Sequence, residues 1–172
     1  MNLLHKRALR IPLISIGVVM TIIALLIMIE FGINYFLVPT DKFGRGPRGV
    51  VAAYEKSKKE KDGITLQQVA QPQLAEMIAD VYDFSLDQKA KKKVPSPGFV
   101  MNEYKIDSFE FYYHVKWQYL SGTSSEEGYR VIYDRDKNEW KLEEIDRNKF
   151  EVLTNGLTSE VIRRNVHDQD VD

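Results

Sequence analysis

Phe109–Leu120, FEFYYHVKWQYL, alternates strongly in side-chain character. Phe109, Phe111, Tyr113, Val115, Trp117 and Tyr119 fall on one side of an extended chain, and Glu110, Tyr112, His114, Lys116 and Gln118 on the other. Successive side chains of a strand point to opposite faces, so the pattern describes a half-buried antiparallel strand with one aromatic face. Residues 99–106 read as a strand before it. SGTSSEEG (121–128) reads as a hairpin loop, and Tyr129, Val131 and Tyr133 alternate in the strand that follows. DRDKN (134–138) is a tight connection, and Trp140 and Leu142 alternate in EWKLEEI (139–145), the last clear strand.

Upstream of the strands the period changes from two to that of a helix. Val50–Lys61 reads as a helix with Val50, Val51, Ala53 and Tyr54 toward a core, Pro47 near its first turn and Gly63 as its stop. Its second half, KSKKEKDG, reads as a solvated helix end. Thr65 and Gln68 match a capping box. Gln73 to about Leu86 carries Leu74, Met77, Ile78, Val81 and Tyr82 at i, i+3, i+4, i+7 and i+8, an amphipathic stripe. Helices first and strands afterwards predict an α+β domain over 50–150, with helices packed on a curved antiparallel sheet. The tail, 151–172, has the makings of a short helix around Val161 and Ile162 and ends in acidic residues.

A different signal precedes the domain. Ile11–Ile29, IPLISIGVVMTIIALLIMI, is 19 residues without a charge. As a helix it covers roughly 28 Å, close to the hydrocarbon thickness of a bilayer. The run is longer than the apolar core of a signal peptide, and Asn34, Tyr35, Phe36 and Leu37 offer no small-residue cleavage site. Residues 11–38 are therefore read as a transmembrane helix with an interfacial extension. Tyr35 and Phe36 stand at the aromatic-belt position, and Glu30 reaches water at the outer edge. The leader, 1–10, is expected in the cytoplasm and everything after the anchor outside it. Residues 39–49 contain TDKFGRGPRG, whose glycines and proline read as a flexible linker.

Composition narrows the chemistry. The 172 residues carry 24 basic and 25 acidic side chains, a formal charge of −1, which does not describe a strongly basic nucleic-acid binder. A 44% hydrophobic content excludes a disordered chain. The absence of cysteine removes disulfides, thiolate nucleophiles and Cys-ligated zinc. The histidines are His5, His114 and His167. One histidine among carboxylates at no characteristic spacing makes no metal site, and GRGPRG follows an apolar run rather than a strand, so it makes no phosphate loop. Residues 41–93 carry a net +3 and residues 94–172 a net −6, with lysine clusters at 56–61 and 89–93. No cofactor, metal or catalytic set is expected, and no direct nucleic-acid contact.

The helix GVVAAYEKSKKEKDG (49–63), the helix QLAEMIADVYDF (73–84), the long alternating strand and the closing NEWKLEEI (138–145) together resemble the nuclear-transport-factor-2-like (cystatin-like) superfamily. The resemblance covers roughly residues 48–150. Within that superfamily, a short leader, one membrane helix and one exported domain look like the small bitopic assembly subunits of Gram-positive type IV secretion and conjugation systems. The resemblance implies a non-enzymatic scaffold that binds membrane lipid through 11–38, other envelope-complex proteins and, in some assemblies, further copies of itself. The polar strand face, Glu110, Tyr112, His114, Lys116 and Gln118, is the expected partner surface. Enzymes of the same superfamily pair a His with an acid in a sheet pocket. His114, beside Glu110, Lys116 and Asp134, is the residue such a reading would use, and a ligand-binding module is the intermediate alternative.

Overall fold

The structure, a computed structural model, describes residues 19–28, 37–90, 93–95, 97–119 and 121–164. It divides into two compact units, Met1–Leu37 and Val38–Asp172.

In the first unit, residues 19–28 form a helix, α1, with exposed apolar side chains such as Met20, Leu26 and Met28. Ten residues make roughly 15 Å of helix. Among the described residues no helix is long and apolar enough to cross a membrane. The leader 1–10 and the remainder of the expected anchor, 11–18 and 29–36 with Glu30, Tyr35 and Phe36, lie outside the described residues.

The second unit is an α+β domain in the order α2 (Pro47–Glu60), α3 (Gly63–Val69), α4 (Pro72–Tyr82), β1 (Gly98–Lys105), β2 (Glu110–Gln118), β3 (Ser124–Asp134), β4 (Glu139–Ile145), α5 (Arg147–Thr154) and β5 (Ser159–Arg164). The antiparallel sheet has the strand order β4-β3-β2-β1-β5. Phe111, Tyr113, Val115 and Trp117 of β2 are buried, as the alternation requires, against Val50, Val51 and Tyr54 of α2 and Leu66 and Val69 of α3. Trp140 and Leu142 extend this core onto β4. Gln71 N–H donates to the Leu142 carbonyl at 2.9 Å, tying the α3–α4 junction to the edge of β4.

Several expectations are corrected. The tail beyond Thr158 is a strand, not a helix: β5 pairs antiparallel with β1 from Phe99↔Arg164 to Tyr104↔Ser159. Backbone pairing decides this, because β1 would otherwise leave a full edge of N–H and C=O groups without a strand partner. The hairpin loop is shorter than read, since Ser124–Glu127 already pair with β2. On α4 the buried positions are Leu74, Ala75, Ile78 and Ala79, while Met77 and Val81 are 49% and 71% exposed. This helix packs on α2 and α3, with the small Ala75 and Ala79 among its buried residues. The cap of α3 is Asp62, whose carboxylate accepts from Thr65 N–H at 3.2 Å and Thr65 Oγ1 at 2.7 Å, so the Thr65–Gln68 box is not used. Gly63 opens α3 instead of stopping α2. A Cβ there would sit 2.2 Å from the Ser85 carbonyl oxygen, so only glycine permits this crossing.

The stretch read as a flexible linker is an ordered turn. Asp41 is buried, and its Oδ1 accepts from Phe43 N–H at 2.9 Å and Arg45 N–H at 2.8 Å. Its Oδ2 accepts from Arg45 Nε at 2.9 Å. Pro39 carbonyl accepts from Trp140 Nε1 at 3.0 Å, and Lys42 N–H donates to the Asn138 carbonyl at 3.0 Å. Asp41→Ala leaves three donors without their acceptor and is expected to cost about 1–3 kcal/mol. Urea unfolding checks the cost, and limited proteolysis should show new cleavage within 39–48; an unchanged digestion pattern would count against the turn.

Candidate functional site

The polar face of β2 divides into two parts. Glu110 accepts from Arg130 Nε at 2.7 Å and from Tyr112 OH at 2.9 Å, and Arg130 Nη1 reaches Glu143 at 3.1 Å. Tyr112 is buried, because α5 lies across this face and sets Phe150 against it, with ring centroids 6.3 Å apart. Burial, then the bond to Glu110, raises the Tyr112 phenol above its ordinary range. Gly128 lets α5 approach: a Cβ there would meet the Ile145 carbonyl at 2.9 Å and the Phe150 ring at 3.2 Å. Glu110 and Tyr112 thus belong to a network and a small core. Lys116 and Gln118, by contrast, are exposed, and Lys116 pairs with Glu126 at 3.3 Å in the open.

His114 stands between them, opposite Asn102 on one side and Gly128 on the other, with its ring 5.9 Å from that of Phe150. The contact with Asp134 is not made. Asp134 is six residues along β3 from Gly128, roughly 20 Å away, where it pairs with Glu139. Glu110 is engaged by Arg130. His114 lines a cleft of about 490 Å³ with Glu126, Glu127, Glu144, Arg147 and Phe150.

Behind this cleft lies a cluster the sequence reading missed. Lys58, read as solvated, is 5% exposed and its Nζ lies 2.9 Å from Glu55, 3.2 Å from Glu127 and 3.7 Å from Glu144. The ammonium also sits 4.6 Å from the Tyr54 ring centroid. Tyr54 OH donates to Glu144 at 2.6 Å, Tyr119 OH to Glu55 at 2.9 Å, and Tyr129 OH to Glu127. Trp117 Nε1 closes the set by donating to Tyr129 OH at 3.1 Å. Burial pulls the Lys58 ammonium down, but the carboxylates outweigh it and hold it above the lysine range. Burial pushes Glu127 up, yet Lys58 and the Tyr129 hydroxyl leave it below the usual carboxylate range. Tyr54 and Tyr129 are raised, by burial first and carboxylates second, and Tyr119 is pushed up to about 12 by burial, with Glu55 adding to the rise. The signal was present in the spacing: Val51, Tyr54, Glu55 and Lys58 share one side of α2.

The chemistry open to this arrangement is limited by its pairing. Each basic centre in it is already set against carboxylates, and every phenol in it is held protonated at neutral pH, able to donate but not to abstract a proton. Among the described residues no group of three or more His, Cys, Asp or Glu is placed to hold a metal ion. Fold and site together define a small α+β domain with a buried Lys–Glu–Tyr cluster and a partly open polar sheet face. No protein-family model, curated protein or solved structure matches the chain.

Proposed function

We propose that the protein is a non-enzymatic, membrane-anchored scaffold subunit of a cell-envelope complex, of the type IV secretion or conjugation kind, with its α+β domain outside the cytoplasm. The nuclear-transport-factor-2-like assignment is part of this reading. Its support is the succession of α2, α3 and α4 on one face of an antiparallel sheet, together with the motifs that carry the resemblance. The single observation that carries the functional reading is the join of an uncharged 19-residue run to a domain that leaves Lys116, Gln118 and Glu126 open on its sheet. An anchor confines such a surface to two dimensions, so modest contacts suffice for assembly.

A photo-crosslinking amino acid at Lys116 or Gln118, activated in the native host, is expected to capture other subunits of a secretion channel. Capture from positions on the α2–α4 side but not from 116 and 118 would reject this surface. The cleft beside His114 favours a second reading, a ligand-binding module. In that case His114→Ala would abolish the cellular phenotype while folding and membrane level stay intact, with no channel subunits captured.

A further inference from the structure

The ordered turn after the anchor changes what the anchor can do. A flexible linker would let the domain roam above the bilayer. Here the chain is fixed to the domain from Pro39 onward: Trp140 holds the Pro39 carbonyl, Asn138 the Lys42 amide, and Glu139 the Lys42 ammonium at 2.5 Å. Between Ile29, the last residue of the uncharged run, and Pro39 there are nine residues. Fully extended they reach roughly 30 Å, and much less if they continue as membrane and interfacial chain, as the sequence reads.

We infer that the Pro39–Arg45 turn and the adjoining β3–β4 hairpin tip form the face of the domain that rests on the lipid headgroups, with Phe43 as its interfacial side chain. This rests on the anchored reading above and adds an orientation to it. The residues suit the place. Phe43 is 45% exposed, and the Arg45 guanidinium and the Lys42 ammonium lie 4.5 and 5.3 Å from its ring centroid. An exposed aromatic ring flanked by cations is the side-chain chemistry of the membrane–water interface. The hairpin tip adds Arg135 and Lys137, both exposed, the latter 3.3 Å from Asp134. The occupant is a lipid surface because the covalent chain delivers this face to it. The opposite end of β3, a strand of eleven residues, lies roughly 35 Å away beside the β2–β3 loop that holds Ser121, and near that end Gln118 and Lys116 of β2 pair with Ser124 and Glu126. The partner surface would then point away from the bilayer, toward other subunits.

The chain has no cysteine, so single labels are simple to introduce. Full-length protein carrying an environment-sensitive fluorophore at Met20→Cys, Thr40→Cys, Lys137→Cys or Ser121→Cys is placed in phosphatidylcholine–phosphatidylglycerol nanodiscs. Acyl-chain quenchers report on position 20 and headgroup quenchers on the others. The expected result is strong quenching at 20, and quenching at 40 and 137 several-fold greater than at 121. Adding Phe43→Ser to Thr40→Cys should lower the quenching at 40. Equal headgroup quenching at 40, 137 and 121, with 20 quenched, would overturn the orientation and leave the anchor standing. Absence of quenching at 20 would overturn the anchor and the orientation with it.

Discussion

Trp117→Ala is expected to cost about 3–5 kcal/mol of folding stability, the range for removing a large aromatic side chain from a core. Trp117 is 1% exposed near the end of β2, opposite Phe99 of β1, whose ring stands edge-on at 5.8 Å. Its indole N–H is also committed, to Tyr129 OH, so the alanine variant opens a cavity and strips one bond from the Lys58 cluster together. Trp117→Phe separates the two: it keeps most of the apolar contact and loses the hydrogen bond, and is expected to cost about 1–2 kcal/mol. The measurement is urea unfolding of residues 38–172, the unit that contains the whole core. With a slope of about 1–3 kcal/mol per molar, the alanine variant should lower the midpoint by on the order of 2 M. A loss below about 1 kcal/mol would mean that β2 presents its other face to the helices, since a slip of one residue exchanges the two faces.

That register was legible because the stretch around β2 states it six times over, in alternate aromatic and aliphatic residues from Phe109 to Tyr119. Where the pattern is weaker, the sequence misled in instructive ways. SSEE, 124–127, looks like a loop because both its faces are polar, yet Glu126 turns to Lys116 and Glu127 to Lys58, and pairing with β2 makes it a strand. Six residues of SEVIRR carry too little pattern to distinguish helix from strand, and the exposed edge of β1 settles the matter. TDKFGRG has the composition of a flexible connection, but one buried carboxylate, Asp41, gathers its backbone into a docked turn. The candidate surface was half legible. Lys116 and Gln118 are exposed as the alternation implies, whereas Tyr112 is covered by α5, a helix of eight residues too short to announce itself.

Lys58→Met is the second large effect, because among the described residues it removes the cation paired with Glu55, Glu127 and Glu144 and keeps the three carboxylates. Glu55 is 1% exposed, and Glu127 and Glu144 are partly buried beside it. Breaking a buried ion pair by deleting one partner costs about 3–5 kcal/mol, since the remaining charge stays desolvated. The pH dependence fixes the cause. In the native protein the Glu127 carboxyl is held below its ordinary value, so its contribution to stability is present above about pH 4.5 and is lost as the pH falls through the folded value. Without Lys58 the Glu127 carboxyl loses the attraction that holds it down, with burial then opposed only by the Tyr129 and Ser125 hydroxyls, and its folded value is expected to rise above that in the native protein. The folded variant then takes up a proton at Glu127 more readily than the folded native protein does. The penalty relative to the native protein is therefore largest at neutral pH and shrinks in mild acid. Glu55→Gln in the Lys58→Met background should recover part of the loss, because it removes the most buried uncompensated charge and keeps an oxygen for Tyr119 OH. Urea unfolding at several pH values measures all three. A penalty that is constant from pH 5 to pH 8, with no recovery in the double variant, would show that Lys58 contributes through packing of its methylene stem and not as the counter-ion of this cluster.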